Sequence, residues 1–224
     1  VTKPRKGYAT IGFSQQIIGR LDGMSEKGLV VGLHFVNNEE RAEGFFATTI
    51  VRMLLEQCAD VEEAIRLITS IPHGYCYNYS ITDRSGKSII VEAPPEKQNI
   101  IEETPLLCTN HFESETLKNR NRNDIQLQGS INRKNYLRSL LQTTKSIPEY
   151  FDVFNDGVSP LFSHRYNEFF GTLHTVVYVP EKLKVMLGVG RDCPPVEFSL
   201  PNVLDGKTTL PPIIKGKIEK HISL

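Results

Sequence analysis

The segment LLCTNHF (residues 106–112) joins an apolar, β-prone run to a sudden polar ending. A polar tract without hydrophobic periodicity follows it, from Glu113 to Gly129. Functional side chains often stand where a regular element gives way to a loop, because the scaffold fixes their position and the loop leaves them accessible. We therefore expect a site at Asn110 and interpret the rest of the chain as a scaffold that brings Asn110 and Arg133 together.

Composition narrows the protein class. Of 224 residues, 39% are hydrophobic and 23% are charged, as in a globular protein with a large core. Lys+Arg and Asp+Glu both number 26, so no net field favours nucleic acid or an anionic membrane. No stretch is apolar enough to span a bilayer and no signal peptide is visible at Val1, which together predict a cytoplasmic location.

Metal and cofactor motifs are not found in the sequence. The four cysteines have no C-x-x-C spacing and the six histidines never recur at ligand spacing. Phosphate-binding glycine loops, dinucleotide fingerprints and nucleophile elbows are missing as well. We predict neither a metal site nor a cofactor.

Hydrophobic periodicity predicts an α+β fold built from hairpins. The predicted strands cover residues 8–13, 28–36, 75–83, 88–92, 99–102, 106–109, 171–179, 183–189 and 194–200. The predicted helices cover residues 48–57, 60–71, 131–142 and 146–154, with Asp60, Ser130 and Ser146 as caps. We expect one domain over residues 1–224 with its core at 8–200, and a loop-like tail from Pro201.

The residue types leave the roles of the candidate site residues open. Asn110 could end a strand and bond its own turn, or its amide could stabilise an oxyanion, which is worth about 2.7–4 kcal/mol in a dry site. Arg133 falls in the predicted first helical turn, where a cation is disfavoured and needs a partner such as a carboxylate or thiolate. His34 and Phe35 lie in an apolar strand, where core packing is the default.

The cysteines are interpreted as structural or inert. Cys58 lies at a helix end, and Cys193 precedes two prolines. Cys76 and Cys108 lie in apolar segments, where burial raises the pKa of a thiol and makes it unreactive.

Six segments, in order, carry a resemblance to a known family. They are RLDGMSEKGL (20–29), VEEAI (61–65), ITDRSGKS with VE (81–92), TNH (109–111), NR with its following leucines (132–141) and GTLHTVVY (171–178). Over residues 8–200 the chain resembles the N-terminal-nucleophile (Ntn) hydrolases of the penicillin V acylase/choloylglycine hydrolase family. The nearest branch is that of acyl-coenzyme A:6-aminopenicillanic acid acyltransferase.

The resemblance implies a fold, a chemistry and residue roles. The fold is a four-layer αββα sandwich of two mostly antiparallel sheets, and the reaction cleaves linear, non-peptide C–N amide bonds. A cysteine freed by autoproteolysis is the nucleophile, and its own α-amino group is the base. Asn110 then supplies the side-chain half of an oxyanion hole, and the backbone N–H of Phe35 (His34 if the register shifts by one) supplies the other half. Arg133 holds the thiolate.

The sequence departs from the family at the nucleophile. It does not begin with Cys, none of its four cysteines occupies the nucleophile position, and Ser25 replaces the usual Asn of its turn. The Arg-Asn-x-Asp element that follows the family's cysteine is missing too. An upstream segment outside this sequence, a separate peptide, or a loss of catalysis would each explain this. We predict an amidase or acyltransferase whose nucleophile lies outside the sequence given.

The expected partners follow from that prediction. The substrate is a small amide, and the acyl group goes to water or to an amine acceptor. Pocket walls are expected in the polar tract 113–129 and the aromatic loop 162–170, with His111, Phe162 and Phe169 as candidates, although both could be ordinary surface loops. A homodimer or homotetramer without nucleic acid or membrane is expected.

Two other functions compete with the enzyme prediction. A non-catalytic binding or assembly protein could keep the same sandwich. A nucleic-acid binder could use Arg120, Arg122, Arg133, Lys134 and Arg138, but zero net charge and neighbouring acidic residues argue against it.

Overall fold

The computed structural model describes residues 1–14, 17–168 and 170–217 of the chain. It divides into two compact units, Val1–Asn135 and Tyr136–Leu224. The predicted mixed α/β class with antiparallel sheets is confirmed, and each unit has its own sheet.

A six-stranded antiparallel sheet forms the framework of the first unit, and each strand pairs with the next one along the chain. Register is set by pairs such as Asp22↔Gly32 and Phe35↔Tyr77. The strands are β1 (Thr10–Ile11), β2 (Asp22–Ser25), β3 (Val30–Phe35), β4 (Tyr77–Thr82), β5 (Ser88–Ala93) and β6 (Asn99–Glu102).

Helices α1 (Ala47–Gln57) and α2 (Val61–Ser70) contribute to the apolar core of this unit. The Asp60 side chain caps α2 by accepting the Glu63 amide at 2.8 Å, as predicted. Alternate residues of the central strands pack into one fully buried cluster with both helices. Its members include Leu29, Val31, Ile50, Leu54, Ile68, Tyr79, Ile81 and Val91.

The opposite face of the sheet carries polar side chains. Strict alternation along β3, β4 and β5 places Gly32, His34, Asn78, Ser80 and Glu92 on this face. Asn78 is 2% exposed and Glu92 is 1% exposed, so these groups are buried and need partners within the protein. This polar face is where the candidate site is built.

Helix α3 (Ile125–Leu140) begins earlier than predicted. Asp124 starts it, because its Oδ1 accepts the amides of Gln126 and Leu127, each at 2.9 Å. The prediction that Ser130 is the cap is therefore wrong, and Arg133 lies well inside the helix. Gly129 and Ser130 are weak helix formers, which hid the first turns. The boundary between the two units falls within α3.

Helical spacing predicts Ile131, Leu137, Leu140 and Leu141 as the buried stripe of α3, and of these four Leu140 is buried in the core. Ser130 is fully buried and Lys134 is 1% exposed, whereas Leu141 is 44% exposed beyond the end of the helix. The helix thus turns a hydroxyl and an ammonium group inward, and a pattern of apolar residues alone could not reveal this.

The predicted strand over residues 106–109 does not form. These residues have no ladder partner, and side chains from other elements hold the carbonyl groups of Leu107 and Thr109 instead. The apolar, β-prone residues 106–109 therefore indicated burial correctly, but the pairing in a sheet that they predicted is wrong.

The second unit contains the predicted hairpin β9 (His174–Val179) and β10 (Lys184–Val189), with β11 (Val196–Ser199) as the predicted edge strand. Two short strands, β7 (His164–Arg165) and β8 (Phe170–Gly171), pair in the otherwise irregular stretch before it. All of these pairings are antiparallel.

Helix α4 (Ile147–Asn155) has the predicted capping box, since Ser146 and Glu149 exchange bonds across its first turn. The predicted loop from Pro201 is wrong over its first residues. A short helix, α5 (Leu200–Leu204), forms there, and the proline occupies a first-turn position that needs no N–H. Across the described ranges, no helix combines the length and the apolarity needed to cross a bilayer.

Candidate active site

The structure brings Asn110 and Arg133 into direct contact. Arg133 Nη2 donates to Asn110 Oδ1 at 2.9 Å, and Asn110 Nδ2 donates to the backbone carbonyl of Phe35 at 3.0 Å. The oxygen and the nitrogen of the amide are therefore distinguished by their partners. Because Nδ2 carries two hydrogens, one N–H bonds Phe35 and the other is directed elsewhere.

The strand register separates the two backbone candidates, His34 and Phe35. Val36 N bonds Cys76 O at 3.3 Å, and Leu33 N bonds Leu21 O at 3.1 Å. In an antiparallel ladder such bonds alternate, so even-numbered residues of β3 face β4 and odd-numbered ones face β2. Phe35 lies beyond the end of β2, so its N–H and C=O point to the edge that holds the Asn110 amide. The His34 N–H faces β4.

The His34 imidazole lies on the polar face, with Nε2 at 3.0 Å from Ser80 Oγ. Burial first, and the positive charge of Arg133 second, lower the pKa of His34 to about 4. The ring is therefore neutral at pH 7 and adds no second cation beside Arg133. A Cβ at position 32 would stand 2.7 Å from Ser80 Oγ, so Gly32 leaves the space that this pair occupies.

Ser130, His111 and Glu113 form a sequence of hydroxyl, imidazole and carboxylate. Ser130 Oγ lies 2.8 Å from His111 Nδ1, and His111 Nε2 lies 3.9 Å from Glu113 Oε1. Ser130 is fully buried, however, and its Oγ already accepts the Asn110 amide N–H at 2.7 Å. A nucleophile has to reach substrate, so we assign this hydroxyl to holding Asn110. Burial lowers the pKa of His111, and the Glu113 carboxylate opposes this shift.

A buried ion pair holds the loop that follows Asn110. Lys134 Nζ donates to Glu113 Oε2 and to the Leu107 carbonyl. Glu92 accepts the backbone amides of Glu113 and Ser114. Residues on both sides of Asn110 are thus tied to α3 and to β5. The sequence suggests Lys134 only as one of several basic residues for nucleic-acid binding. Its burial is not predicted, because charged residues are rarely buried unless they are paired.

A shallow cleft with an empty volume of about 170 Å³ opens at Asn110. Much of its lining comes from the predicted wall at 113–129, and Asn37 bridges to it by donating to Asp124 at 2.7 Å. The lining residues are Val36, Asn37, Asn110, Asn121, Arg122, Asp124 and Leu127.

The predicted pocket residues outside this cleft have separate places. The His111 ring turns towards Thr109 and Ser130 rather than into the cleft. Phe162 lies in the second unit, is 5% exposed and packs on His164 with a ring separation of 5.2 Å. Phe169 lies outside the described residues. Their role in binding substrate stays a prediction.

A larger cleft, with an empty volume of about 820 Å³, lies within the second unit. Asp152, Asp156 and Asp192 line it beside Asn155 and Cys193. It contains none of the predicted catalytic residues, and in the described ranges no cluster of His, Cys, Asp and Glu has the geometry of a metal site.

Three of the thiols are unsuited to nucleophilic attack. Burial raises the pKa of Cys58 to about 11 and that of Cys76 to about 12. Burial also raises the pKa of Cys108, even though the Lys134 ammonium opposes this. These thiols stay protonated near neutral pH, and the thiolate is the reactive form.

Comparison with known families identifies the chain. The family model described as acyl-coenzyme A:6-aminopenicillanic acid acyl-transferase matches residues 1–193. The chain belongs to this family. The resemblance predicted from six short segments is thereby confirmed, and the family places the protein among the Ntn-type amide hydrolases and acyltransferases.

Solved structures of other proteins share the fold. A variant of the conjugated bile acid hydrolase from Clostridium perfringens superimposes with a TM-score of 0.59 at 15% identity, covering 87% of this chain and 78% of that chain. Penicillin V acylase from Agrobacterium tumefaciens gives a TM-score of 0.53 at 17% identity, covering 87% and 70%. The predicted Ntn-hydrolase fold is thus confirmed. Comparison with curated protein sequences gave no match.

Four contributors to the geometry around Asn110 went unrecognised in the sequence. The sequence predicts no role in this site for Asn78 or Asn121, considers Lys134 only as a nucleic-acid contact, and predicts Ser130 as a helix cap. One available signal is a buried carboxamide within a strand, as at Asn78 in YNYSIT (77–82).

Proposed function

We propose that this chain forms most of an enzyme that cleaves linear, non-peptide C–N amide bonds through a thioester acyl-enzyme. One observation carries the proposal. The Asn110 amide is fixed between the Phe35 carbonyl and the Arg133 guanidinium, on the same strand edge as the Phe35 N–H. Two N–H donors, one from a side chain and one from the backbone, suit a single oxygen that gains negative charge.

In the first step, a cysteine thiolate attacks the carbonyl carbon of the amide. The new C–S bond forms as the C=O electron pair moves to oxygen. Asn110 Nδ2 and the Phe35 N–H donate to this oxyanion, and losing one such donor typically costs about 10²–10³ in kcat.

In the second step, the oxyanion collapses and the C–N bond breaks. The leaving nitrogen takes the proton that the base received from the thiol, so an amine departs and a thioester remains. The family resemblance assigns that base to the α-amino group of the nucleophilic cysteine, whose ordinary pKa is near 8. Water or an amine acceptor then attacks the thioester and releases the thiolate.

Arg133 has two roles in this scheme. Its guanidinium holds Asn110 Oδ1, which turns Nδ2 towards the reacting oxygen. It also stays charged at every relevant pH and so favours the thiolate over the thiol. Because His34 is neutral at pH 7, it adds no positive charge of its own beside Arg133.

The thiol itself is proposed to come from outside the sequence given, either from an upstream segment or from a separate peptide. The raised pKa values of Cys58, Cys76 and Cys108 argue against three of the four thiols within it. The fourth, Cys193, lines the cleft that contains none of the predicted catalytic residues. The substrate is proposed to be a small amide that enters the cleft at Asn110. Homodimeric or homotetrameric assembly stays a prediction, which light scattering of the purified protein would test.

Mass spectrometry of the protein isolated from its source tests the proposal. We expect an N-terminal cysteine, on the same polypeptide or on a copurified peptide, that iodoacetamide alkylates first. Alkylation should abolish amine release from a panel of N-acyl p-nitroanilides and N-acyl amino acids. An N-terminus at Val1 without a partner peptide, together with no amine release, would favour the rival binding or assembly function.

A further inference from the structure

Asn78 holds the backbone on both sides of Asn110. It lies in β4, is 2% exposed, and its Nδ2 donates to the Thr109 carbonyl at 3.1 Å and to the His111 carbonyl at 2.7 Å. Both N–H groups of the Asn78 side-chain amide thus donate to the carbonyls of the two residues that flank Asn110, the proposed oxyanion donor.

Each of those two peptide groups is also held at its N–H end. The amide of Asn110, in the peptide that begins at Thr109, donates to Ser130 Oγ at 2.7 Å. The amide of Phe112, in the peptide that begins at His111, donates to Asn121 Oδ1 at 2.9 Å. The peptide that precedes Asn110 and the peptide that follows His111 are therefore each fixed at both ends, and Asn78 is the side chain that the two share.

The side-chain oxygen of Asn78, unlike its nitrogen, contributes no hydrogen bond within the described residues. Asn78 Oδ1 is buried and has no hydrogen-bond partner in the described part of the chain. A buried acceptor without a hydrogen-bond partner lowers the stability of the fold. Asn78 is thus a poor choice for stability alone, and its value lies in the two N–H bonds.

We propose that Asn78 is a positioning residue for the reaction, which sets the direction of the Asn110 amide by fixing the backbone that carries it. We call the two hydrogen bonds from Asn78 to the Thr109 and His111 carbonyls the clamp. The expected loss of kcat rests on the proposed function, whereas the effect of the clamp on the Asn110 side chain does not. Asn78 does not touch the reacting atoms. Displacement of a catalytic group by about 1 Å can cost about 10²-fold in rate, so loosening this backbone should lower kcat more than it raises KM.

Two variants remove the donors. Asn78→Ala deletes them, and Asn78→Asp keeps the shape but sets carboxylate oxygens against the Thr109 and His111 carbonyls. We expect kcat to fall about 10²-fold in both, with KM changed less than about threefold. Unchanged kcat in both variants would overturn the proposal.

Asn155 offers a matched control in the second unit. It is also 2% exposed, and its Nδ2 also donates to two acceptors, Thr175 Oγ1 at 3.2 Å and the Gly190 carbonyl at 2.8 Å. The Asn155 Oδ1 also accepts the Cys193 amide at 2.7 Å, so we expect Asn155→Ala to lower thermal stability at least as much as Asn78→Ala while leaving kcat near the wild-type value. An equal loss of kcat in both would reduce Asn78 to a general stabiliser and overturn the proposal.

A readout without turnover tests the clamp by itself. In full-length protein labelled with ¹⁵N-asparagine, the Asn110 side-chain NH₂ pair is assigned by its loss in Asn110→Asp. We expect one sharp pair in the wild type and in Asn155→Ala, and broadened or doubled signals in Asn78→Ala. Unaltered Asn110 signals in Asn78→Ala would refute the clamp.

The two readouts separate the possible failures. If the wild type turns over no amide, the proposed function fails and the NMR comparison still decides the clamp. If turnover is present and the Asn110 signals ignore Asn78, the inference fails alone. Should both Asn78 variants fail to fold, Asn78→Ser keeps a smaller polar side chain with a single hydrogen to donate, and unaltered Asn110 signals there would count equally against the clamp.

Discussion

The segment 106–121 of the first unit and the hairpin 174–189 of the second are similar in length, yet opposite means hold them in place. The hairpin is held by a continuous ladder that pairs His174 with Val189 and runs to Val179 and Lys184. The segment 106–121 has no ladder. Turn and 3-10 bonds join its residues 114–121, and the backbone groups nearer Asn110 bond to side chains from β4, β5 and α3. A ladder uses groups that nearly every residue carries, whereas the site segment uses particular side chains.

This difference predicts where single substitutions are tolerated. A side chain on the hairpin can change without removing a ladder bond, because the bonds belong to the backbone. In segment 106–121 each substitution of a holding side chain removes a bond that nothing else replaces. The expected effects therefore range from large at the buried ion pair to small at locally capped helices.

The largest effect is expected at Glu113, the carboxylate partner of buried Lys134. Glu113→Ala leaves the ammonium group buried without its main counter-charge, and we expect the free energy of unfolding to fall by about 3–5 kcal/mol. Glu115→Ala is the matched control, because Glu115 pairs with Lys118 at the surface and should cost less than about 1 kcal/mol. Urea unfolding of both variants measures the difference. Equal losses would show that the segment does not depend on the buried pair.

The next effect is expected on catalysis, at Asn110. Asn110→Ala should lower kcat by about 10²–10³-fold, or about 2.7–4 kcal/mol, with little change in thermal stability. Asn110→Asp keeps an oxygen for Arg133 and removes the N–H donors, so a similar loss of kcat would assign the effect to donation. Lys184→Gln, on the exposed side of the hairpin, serves as the control. Normal turnover in either Asn110 variant would remove Asn110 from the mechanism.

The sequence predicted the ladder-held parts of the fold better than the side-chain-held parts. The β9–β10 hairpin, the Asp60 cap and the Ser146 capping box follow from patterns within a few residues, and the structure has all three. The start of α3 and the missing strand at 106–109 depend on bonds between distant residues. The T-N-H motif pointed to the candidate site, but most of the side chains that hold it lie 20 or more positions from Asn110, as Asn78 does.

A third effect is expected on the pH dependence of stability, through His34. Its pKa is lowered from an ordinary 6.5 to about 4, so the folded protein binds this proton less readily than the unfolded chain does. The stability that neutral His34 contributes is complete above about pH 6.5 and is lost as the pH falls towards 4, by about 3 kcal/mol in total. His34→Gln should keep a bond to Ser80 and flatten this part of the profile. Urea unfolding between pH 7 and about 4.5 measures it, and parallel profiles for the two proteins would refute the assignment.

The smallest effect is expected where the bonds are most local, at the capping box of α4. Ser146 accepts the Glu149 amide, and the Glu149 carboxylate accepts the Ser146 amide at 2.7 Å. Ser146→Ala should lower the free energy of unfolding by about 1 kcal/mol, because one orphan N–H of the first turn then turns to water. Ser146→Asp restores an acceptor and should recover most of that loss, with kcat unchanged in both variants. Substitutions three residues apart in one helical turn thus stay local, whereas Asn78 and Asn110 are coupled across 32 positions of the chain. If Ser146→Ala lowered the free energy of unfolding as much as Glu113→Ala does, the distinction between locally bonded elements and segment 106–121 would not hold.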